Sequence, residues 1–421
     1  RKRSTFSTVL ILLAALVLLC AAATAATISP KSKKKSAKVS ESAKTQKQIA
    51  ARKSSHTTAK SSVKKASTKS RRRYSRYQWI NGHRVKRNRY YERFTASSFV
   101  DIDLTTADVT AGEDPAVRAA AIEALGNMNG TVVAIDPNSG RILAMVNQGL
   151  ALSEGAEPCS TIKLSVGLAA LSEGIITKDT RVQLSRRVSM NLTNALAHSN
   201  NQFFEALGRR LGFEKVSYYA HQFGLGEMAG WNIPGEHLGV YPSEELDPRL
   251  GGVGRMCSFG ESISMTPLQL GALVSAIANG GTLYYLQHPT SAAEVANFEP
   301  KVKRYLDIAP LIPEMQPGMT AAVEYGTAQS VRWNFNEEQI LGKTGTCSNN
   351  GTRFGWFASY ANTQYGKIAV VVFLEGGRPT FGPKAAELAG KMYRALYDSS
   401  YFAGKSPMAN DRAGTAVGVS Q

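Results

Sequence analysis

Residues 130–136 read GTVVAID, residues 141–147 read RILAMVN, and PNSG fills positions 137–140 between them. The two outer runs are rich in β-branched and apolar residues, which favour strands. Pro, Asn, Ser and Gly in the short connection favour a tight turn. The stretch therefore predicts a β-hairpin that begins a sheet.

Two later runs, residues 353–360 and 367–374, also read as strands. Helical composition or periodicity marks residues 116–125, 159–171, 191–211, 267–278 and 383–396. Three of these helices stand between the early and the late strands. The predicted fold class is α/β, with a mostly antiparallel central sheet flanked by helices and an inserted helical subdomain. We expect ordered structure to begin near Pro115.

A nearly continuous apolar run, VLILLAALVLLCAAATAA, occupies residues 9–26 behind three basic residues. Such a segment is typical of a signal peptide or of a single membrane anchor. Residues 23–25, ATA, have the small-x-small form of a cleavage site. The lysines at residues 31–35 also favour cleavage, because positive charge beside an anchor tends to stay in the cytoplasm. Both alternatives stay open. Both predict export, either to the membrane on its extracytoplasmic side or into the periplasm.

Residues 31–93 hold 22 Lys and Arg against two acidic residues, in a background of Ser, Thr and Ala. This composition cannot bury an apolar core, and it predicts a disordered linker over residues 29–93. The formal net charge of the chain is +18, but residues 1–3 and 31–93 contribute +23, so the remainder carries −5. The basicity belongs to the linker, and we therefore predict no nucleic-acid partner.

Three short motifs stand in order after the hairpin. They are Ser160-Thr161-Ile162-Lys163, Ser199-Asn200-Asn201 and Lys343-Thr344-Gly345. Each motif is weak alone, because Ser and Lys are common in this chain and similar spacings occur in the basic linker. Ser189-Met190-Asn191 also competes with the Ser199 triplet for the middle position.

The spacing of Ser160 and Lys163 suits nucleophilic chemistry. Residues three apart on a helix share a face, so the Lys163 amine can reach the Ser160 hydroxyl. A serine becomes a good nucleophile when a base takes its proton, and a lysine can be that base if burial or a nearby cation lowers its pKa. Lys343 is a candidate for that cation. A backbone N–H at a helix start can also hold an oxyanion.

Together the motifs resemble the S-x-x-K, S-x-N and K-T-G set of penicillin-binding proteins and β-lactamases. Other stretches that look like transpeptidase sequence are residues 130–146, 258–262, 266–270, 278–281 and 342–346. The similarity extends over residues 129–397. Residues 202–204, QFF, continue the middle motif as the family does, which favours Ser199 over Ser189.

The resemblance implies a serine acyltransferase in which four residues perform the chemistry. Ser160 would be the nucleophile and Lys163 its base. Ser199 would relay a proton to the leaving group, and Asn201 would bind the substrate amide and Lys163. The function implied is a cell-wall peptidoglycan D,D-transpeptidase that works through an acyl-enzyme on Ser160.

The resemblance also assigns substrate-binding roles around the third motif. Lys343 and Thr344 would bind the carboxylate of the peptide or antibiotic, and Gly345 would leave room for the substrate backbone. The backbone N–H groups of Ser160 and Thr346 would form the oxyanion hole. The expected ligands are peptidoglycan stem peptides and β-lactams, with cell-wall synthesis proteins as candidate partners and the membrane as a further one if the N-terminal segment is uncleaved.

Two other hypotheses stay open beside a transpeptidase or D,D-carboxypeptidase. One is a β-lactamase or β-lactam-sensing relative, which differs in whether water removes the acyl group. The other is a degenerate cell-wall scaffold without activity, against which the intact motifs argue. The predicted organisation is a signal peptide or anchor (1–28), a linker (29–93), a short lead-in (94–128), a catalytic domain (129–398) and a flexible tail (399–421).

The cysteines after the leader, Cys159, Cys257 and Cys347, are too few and scattered for a disulfide framework. No spacing typical of metal ligands accompanies them, so we expect no metal and no cofactor. Cys159 precedes Ser160 and Cys347 follows the third motif, so both can line the cleft and approach each other. Of the two alternatives for this pair, a disulfide or buried free thiols, we predict free thiols.

Overall fold

The computed structural model describes residues 77–80, 83–86 and 97–403 of the chain. The chain divides into two compact units, residues 1–87 and 88–421. The predicted signal peptide or anchor, most of the predicted linker and residues 404–421 of the tail lie outside the described residues.

In the first unit the described residues form a hairpin of two antiparallel strands, β1 (Tyr77–Ile80) and β2 (His83–Lys86). These strands lie in the range predicted to be a disordered linker, so the prediction is wrong for them. Asn81 and Gly82 stand between them in the sequence, and Asn-Gly is a strong local signal for a hairpin. The basic composition of the segment masked this signal.

The second unit is built on a five-stranded sheet with the strand order β4-β3-β11-β10-β9. Two small ribbons, β5 with β6 and β7 with β8, lie outside this sheet. The strands of the unit are β3 (Gly130–Ile135), β4 (Ile142–Val146), β5 (Val182–Ser185), β6 (Val188–Met190), β7 (Thr282–Tyr284), β8 (Val302–Tyr305), β9 (Gln339–Asn349), β10 (Thr352–Thr363) and β11 (Gly366–Gly376).

Helices cover both faces of this sheet. They are α1 (Pro115–Leu125), α2 (Gln148–Ala151), α3 (Lys163–Ser172), α4 (Leu192–Ala197), α5 (Asn201–Leu211), α6 (Phe213–Gln222), α7 (Gly252–Phe259), α8 (Pro267–Asn279), α9 (Ala292–Ala296), α10 (Ile312–Glu324) and α11 (Gly382–Asp398). Short 3₁₀ turns occupy Cys159–Ile162, Pro248–Leu250, Ala309–Leu311 and Gln329–Trp333.

The predicted fold class is confirmed. Strands β3 and β4 form the predicted antiparallel hairpin, in which Val132 is paired with Val146. Strand β11 pairs antiparallel with β3, so the late strands join the early ones in one sheet. The chain between β4 and β9 forms helices and two small ribbons, which is the predicted helical insertion.

The sheet has apolar residues on both faces. We call the face toward the inserted helices the front face and the face toward α1 and α11 the rear face. Along β3, Val133 and Ile135 join the front cluster, while Val132 and Ala134 join the rear one. This alternation follows from the two-residue repeat of a strand. Both faces of the sheet are therefore buried.

Ordered structure begins before Pro115, in contrast to the prediction. The Asp108 carboxylate accepts hydrogen bonds from the backbone N–H groups of Asn147 (3.0 Å) and Gln148 (2.8 Å). Arg118 forms ion pairs with both Asp108 and Glu113. These buried charges tie Asp108 and Glu113 to α1 and to the end of β4, so the described residues of the predicted lead-in, 97–128, belong to the fold.

The helix predicted over residues 191–211 is two helices, α4 and α5, separated by residues 198–200. Ser199 has a φ of 52°, a conformation that helices do not contain. The side chain of Asn200 then accepts a hydrogen bond from the N–H of Phe203 (2.9 Å) and caps α5. Asparagine is a favoured N-cap residue, and the helical pattern of the sequence concealed it.

The described part of the predicted tail is partly packed. Helix α11 ends at Asp398, and Phe402 is buried in the rear cluster. Among the described residues, no helix is both long and apolar enough to cross a membrane.

Candidate active site

The turn that carries Ser160 is held against the sheet. The 3₁₀ turn Cys159–Ile162 leads directly into α3, so Ser160 lies just before the helix, as predicted. Trp356 of β10 donates its indole N–H to the carbonyl of Glu157 (3.0 Å), and Thr161 donates its hydroxyl to the carbonyl of Pro158 (2.6 Å). We call residues 157–162 the nucleophile turn.

Lys163 is at the centre of the three motifs. Its Nζ lies 2.8 Å from Ser160 Oγ, 2.6 Å from Asn201 Oδ1 and 2.9 Å from the Ser199 carbonyl. A neutral amine has two N–H donors and one lone pair. The two oxygen acceptors of Asn201 and Ser199 use both donors, which leaves the lone pair for the Ser160 hydroxyl.

The surroundings of Lys163 favour this neutral form. The side chain is fully buried, and its amine lies 5.6 Å from the centre of the Phe204 ring. Burial lowers the pKa of Lys163 well below its ordinary value, and the nearby charge of Lys343 lowers it further. Both effects favour the neutral amine, which is the form that can accept a proton.

Ser199 and Asn201 reach Lys163 because residues 198–200 interrupt the helical conformation between α4 and α5. Asn201 is the first residue of α5, and Ser199 points its Oγ to within 3.1 Å of the Lys163 amine. The competing Ser189 lies on β6, where its hydroxyl accepts a hydrogen bond from Arg181 (3.0 Å). The structure therefore brings the Ser199 triplet, and not Ser189, to Lys163.

The third motif lies on β9, the edge strand of the sheet. Lys343 is fully buried, and its amine donates to Ser199 Oγ (2.8 Å) and to the Thr344 carbonyl (2.9 Å). Burial lowers the pKa of Lys343 to about 7. The Ser199 hydroxyl thus connects two amines, one on α3 and one on β9.

The residues of β9 alternate between the two faces of the sheet. Lys343 points to the front, whereas the hydroxyl of Thr344 contacts that of Thr327 (2.6 Å). The Thr346 hydroxyl accepts from the N–H of Gly382 (2.7 Å), which lies at the start of α11. Thr344 is buried and Thr346 is exposed. Their hydroxyl groups therefore lie on the opposite side of β9 from the Lys343 amine.

Gly345 allows the nucleophile turn to lie directly on β9. A Cβ atom at this position would come within 2.9 Å of the Pro158 carbonyl oxygen and 3.2 Å of the Thr161 side chain. The predicted reason for this glycine was room for a substrate backbone. The structure gives a second reason, which is close contact between the turn and the strand.

The two predicted oxyanion donors lie on these touching segments. In a 3₁₀ turn that begins at Cys159, the N–H of Ser160 comes too early to be bonded inside the turn. Thr346 lies on the edge strand, where alternate N–H groups point away from the sheet. An oxyanion hole requires two such donors close to each other.

Cys159 and Cys347 form a disulfide, with their Cα atoms 5.5 Å apart. The prediction of free thiols is wrong for this pair. Cys257 is free and buried. The two bonded cysteines lie 188 residues apart in the sequence, and they meet because the nucleophile turn lies on β9. Cys347 points to the front face, on the same side of the strand as Lys343.

Two residues near the motifs were not predicted from the sequence. Trp356, opposite Gly345 on β10, anchors the nucleophile turn through Glu157. Thr327 follows α10, and its N–H donates to the Ala197 carbonyl at the end of α4 (3.0 Å). Neither residue belongs to a motif, and only the fold brings them to the site.

Glu157 is a third such residue. Burial raises the pKa of its carboxyl group to about 7, and the nearby charge of Glu261 raises it further while Arg255 opposes this. The side chain of His198, by contrast, is exposed and lies against Tyr325, with ring centres 5.8 Å apart.

Within residues 97–403, no group of three His, Cys, Asp or Glu residues is arranged to hold a metal ion. A surface cavity of about 570 Å³ is lined by Trp231, His288, Lys301 and neighbouring residues, and no motif residue contributes to it. Buried lysines and convergent motifs, and not this cavity, identify the cleft at Ser160 as the candidate active site.

Comparison with known proteins identifies the family of the chain. The sequence profile of the family described as "Penicillin binding protein transpeptidase domain" matches residues 130–397. Stage V sporulation protein D of Bacillus subtilis is 27% identical over 315 residues, which cover 62% of this chain and 48% of that protein. Peptidoglycan D,D-transpeptidase MrdA of Acinetobacter baumannii is 24% identical over 355 residues, which cover 66% and 52%. The chain thus spans about half the length of these two curated relatives.

Peptidoglycan D,D-transpeptidase PbpA of Mycolicibacterium smegmatis is 26% identical over 375 residues, covering 73% of this chain and 75% of that protein. The crystal structure of Pseudomonas aeruginosa PBP2 in complex with WCK 5153 is similar in fold. Its TM-score is 0.57 at 23% identity, over 69% of this chain and 74% of that one. The family profile covers more than half of the chain, and on this ground the chain belongs to the penicillin-binding protein transpeptidase domain family.

Proposed function

We propose that the chain is an exported peptidoglycan D,D-transpeptidase that forms an acyl-enzyme on Ser160. The observation that carries the proposal is the contact of 2.8 Å between Ser160 Oγ and a buried Lys163 amine whose pKa lies well below its ordinary value. Such a pair can generate a serine nucleophile at neutral pH.

In the first step, Lys163 takes the Ser160 proton while Oγ attacks the carbonyl carbon of the penultimate D-alanine. The negative charge that develops on the carbonyl oxygen lies between the N–H groups of Ser160 and Thr346. When the C–N bond breaks, the proton on Lys163 passes through the Ser199 hydroxyl to the departing amine, and D-alanine leaves. The short contacts of Ser199 Oγ with both lysines support this relay.

In the second step, the amine of another stem peptide attacks the ester carbon. Its proton returns through Ser199 and Lys163 to Ser160 Oγ as the acyl–oxygen bond breaks, which restores the enzyme. Asn201 holds Lys163 in place throughout. Lys343 supplies positive charge beside the position proposed for the substrate carboxylate.

Stem peptides and β-lactams are the proposed ligands, because a penicillin offers a strained amide carbonyl and a carboxylate to the same groups. The proposed location is the extracytoplasmic side of the membrane, or the periplasm after cleavage of the N-terminal apolar segment. This part of the proposal rests on the sequence of residues 9–26.

The test is the intact mass of the full chain during incubation with a penicillin, followed by peptide mapping. We expect one stable adduct on Ser160, no adduct in Ser160→Ala, and a normal adduct in the matched control Ser189→Ala. An adduct that forms and disappears with turnover of penicillin would replace the proposal by a β-lactamase. Folded protein without any adduct would replace it by a non-catalytic scaffold.

A further inference from the structure

The disulfide between Cys159 and Cys347 joins the two segments that carry the oxyanion donors. Cys159 directly precedes Ser160, and Cys347 directly follows Thr346. We propose that this disulfide is a positioning element of the oxyanion hole, which fixes the N–H of Ser160 relative to the N–H of Thr346. The inference rests on the proposed function, since it assigns a role within the same site.

The conformation of Cys159 is the first argument. Its φ is 51°, in the left-handed region that residues with a side chain rarely adopt. A residue stays in this region only when its surroundings hold it there. Because Cys159 and Ser160 share one peptide plane, whatever holds Cys159 also sets the direction of the Ser160 N–H. The bond to Cys347 is a covalent restraint at this residue.

The position of β9 is the second argument. As the edge strand it has a strand neighbour on one side, β10, and the nucleophile turn lies on its front face. No backbone hydrogen bond joins residues 159–162 to residues 343–347. Besides the disulfide, the turn is held by the Trp356–Glu157 hydrogen bond and by contact with Gly345. The disulfide is the covalent link among these restraints.

The buried position of the bond is the third argument. Cys159 is fully buried, and the Glu157 carbonyl oxygen lies 3.4 Å from its sulfur and 3.8 Å from that of Cys347. The same carbonyl accepts the hydrogen bond from Trp356. The disulfide, the carbonyl and the indole thus form one contact group behind Ser160. Removing the bond would release the turn from the strand at the position where the two donors must converge.

A disulfide that only stabilises the fold predicts a different effect of its removal. It closes a loop of 188 residues, and such a bond stabilises a fold mainly by restricting the unfolded chain. Removing a purely stabilising disulfide would lower the unfolding temperature and leave the acylation rate of the folded enzyme unchanged. A positioning element changes the rate of the folded enzyme and the polarisation of the bound carbonyl.

The experiment compares the oxidised chain of residues 1–421 with the double variant Cys159→Ala/Cys347→Ala, using a penicillin as acylating agent. Stopped-flow kinetics give the dissociation constant of the initial complex and the limiting acylation rate constant. We expect the limiting rate constant to fall about 10- to 100-fold, since complete loss of one oxyanion donor costs ~10² to 10³ in rate. The dissociation constant should stay within about twofold, because the oxyanion forms only after binding.

Infrared spectroscopy of the acyl-enzyme supplies a readout that would not change if the disulfide only stabilised the fold. Two well-placed N–H donors lower the stretching frequency of the ester carbonyl. In the double variant this frequency should move toward that of an ester in water. Cys257→Ala, which removes the free buried cysteine, is the matched control and should keep both the rate constant and the frequency of the unmodified protein.

Reduction of the unmodified protein by a dithiol provides a second route, if the double variant does not fold. The disulfide gains two electrons and two protons and becomes two thiols, and the rate constant and carbonyl frequency should shift as in the variant. Equal rate constants and frequencies with and without the bond would overturn the inference alone. Absence of acylation in the oxidised unmodified protein would overturn the proposed function, and the inference with it.

Discussion

The front and rear faces of the sheet are formed by the same strands but bury different kinds of side chain. On β9 the front face carries Lys343 beside Ser199, whereas Ile340 and Thr344 face the rear. The rear face is an apolar layer closed by α11, in which Met392 is fully buried. The front face instead buries two amines at the candidate active site, Lys163 and Lys343.

Because of this difference, the rear face contributes mainly to stability and the front face to reactivity. Burial of apolar side chains on the rear face stabilises the fold. Burial of amines on the front face is unfavourable for their charged forms, and this same penalty lowers the pKa values of Lys163 and Lys343. Functional sites commonly combine reactivity with local instability. The comparison predicts that substitutions on the two faces affect different measurements.

The largest expected effect is on the rate at the front face. Lys163→Ala should lower the acylation rate constant by ~10² to 10⁴, because the Ser160 hydroxyl loses its base. The secondary structure, measured by circular dichroism, should not change. The exposed Lys391 offers a matched control, and Lys391→Ala should acylate normally. Normal acylation of Lys163→Ala would remove Lys163 from the proposed mechanism.

The corresponding change on the rear face should act on stability. Met392→Ala removes a fully buried side chain from α11 and should lower the free energy of unfolding by ~2 to 5 kcal/mol. Urea denaturation measures this loss. The acylation rate per folded molecule should remain within about threefold. A loss of rate comparable with that of Lys163→Ala would show that the two faces are not separable.

The pH dependence of acylation should report the front face. Lys163 accepts a proton only in its neutral form, whereas Lys343 is proposed to attract the substrate carboxylate in its charged form. As the pH rises through about 7, Lys343 loses its charge, so the second-order acylation rate constant should fall about tenfold per pH unit above this value. An esterified penicillin, which lacks the carboxylate, should show a weaker decrease.

Glu157 has a pKa raised to about the same value and could contribute to this profile. Glu157→Gln serves as the control, and the decrease above pH 7 should persist in it. A profile that becomes flat in Glu157→Gln would assign the titration to the carboxyl group and not to Lys343.

The smallest expected effect is a gain in stability on the front face. Lys343→Met replaces a buried amine by an apolar chain of similar length and should raise the free energy of unfolding by on the order of 1 kcal/mol at pH 6. The folded pKa of Lys343 is about 7, against an ordinary value of 10.5. Between these values the unfolded chain keeps a proton that the folded protein has released.

The stability of the unmodified protein therefore rises with pH in this window. The advantage of Lys343→Met should be largest below pH 7 and should shrink toward pH 10. Thermal unfolding at a series of pH values measures the trend. An advantage that grows with pH would contradict the lowered pKa of Lys343.

The elements that follow a local pattern could be predicted from the sequence. The β3–β4 hairpin, α8 and α11 agree with their predictions within a few residues. Such elements depend on periodicity and on turn residues that lie next to each other in the chain. The errors fall where two signals compete in one segment. The Asn81-Gly82 pair was outweighed by basic residues, and the Asn200 cap was concealed by an apolar pattern.

The candidate site likewise has residues that local motifs predicted and contacts that they did not predict. The three motifs identified Ser160, Lys163, Ser199, Asn201 and the segment 343–346, and the structure brings these residues to one cleft. The positions of Cys159 and Cys347 beside two motifs indicated that they can approach each other, but the bond between them and the anchoring role of Trp356 were not predicted. Each depends on contact between segments about 190 residues apart, for which the chain carries no local signal.

The sequence by itself determined which residue types are available and the local elements that carry them, because propensity, periodicity and turn chemistry act over a few residues. Tertiary structure decided which of the candidate serines meets Lys163, how far the pKa values of the two lysines fall, and that two cysteines become bonded. These properties depend on the distances between side chains, on their burial and on their orientation. Such distances and orientations exist only after β9 and the nucleophile turn have packed together.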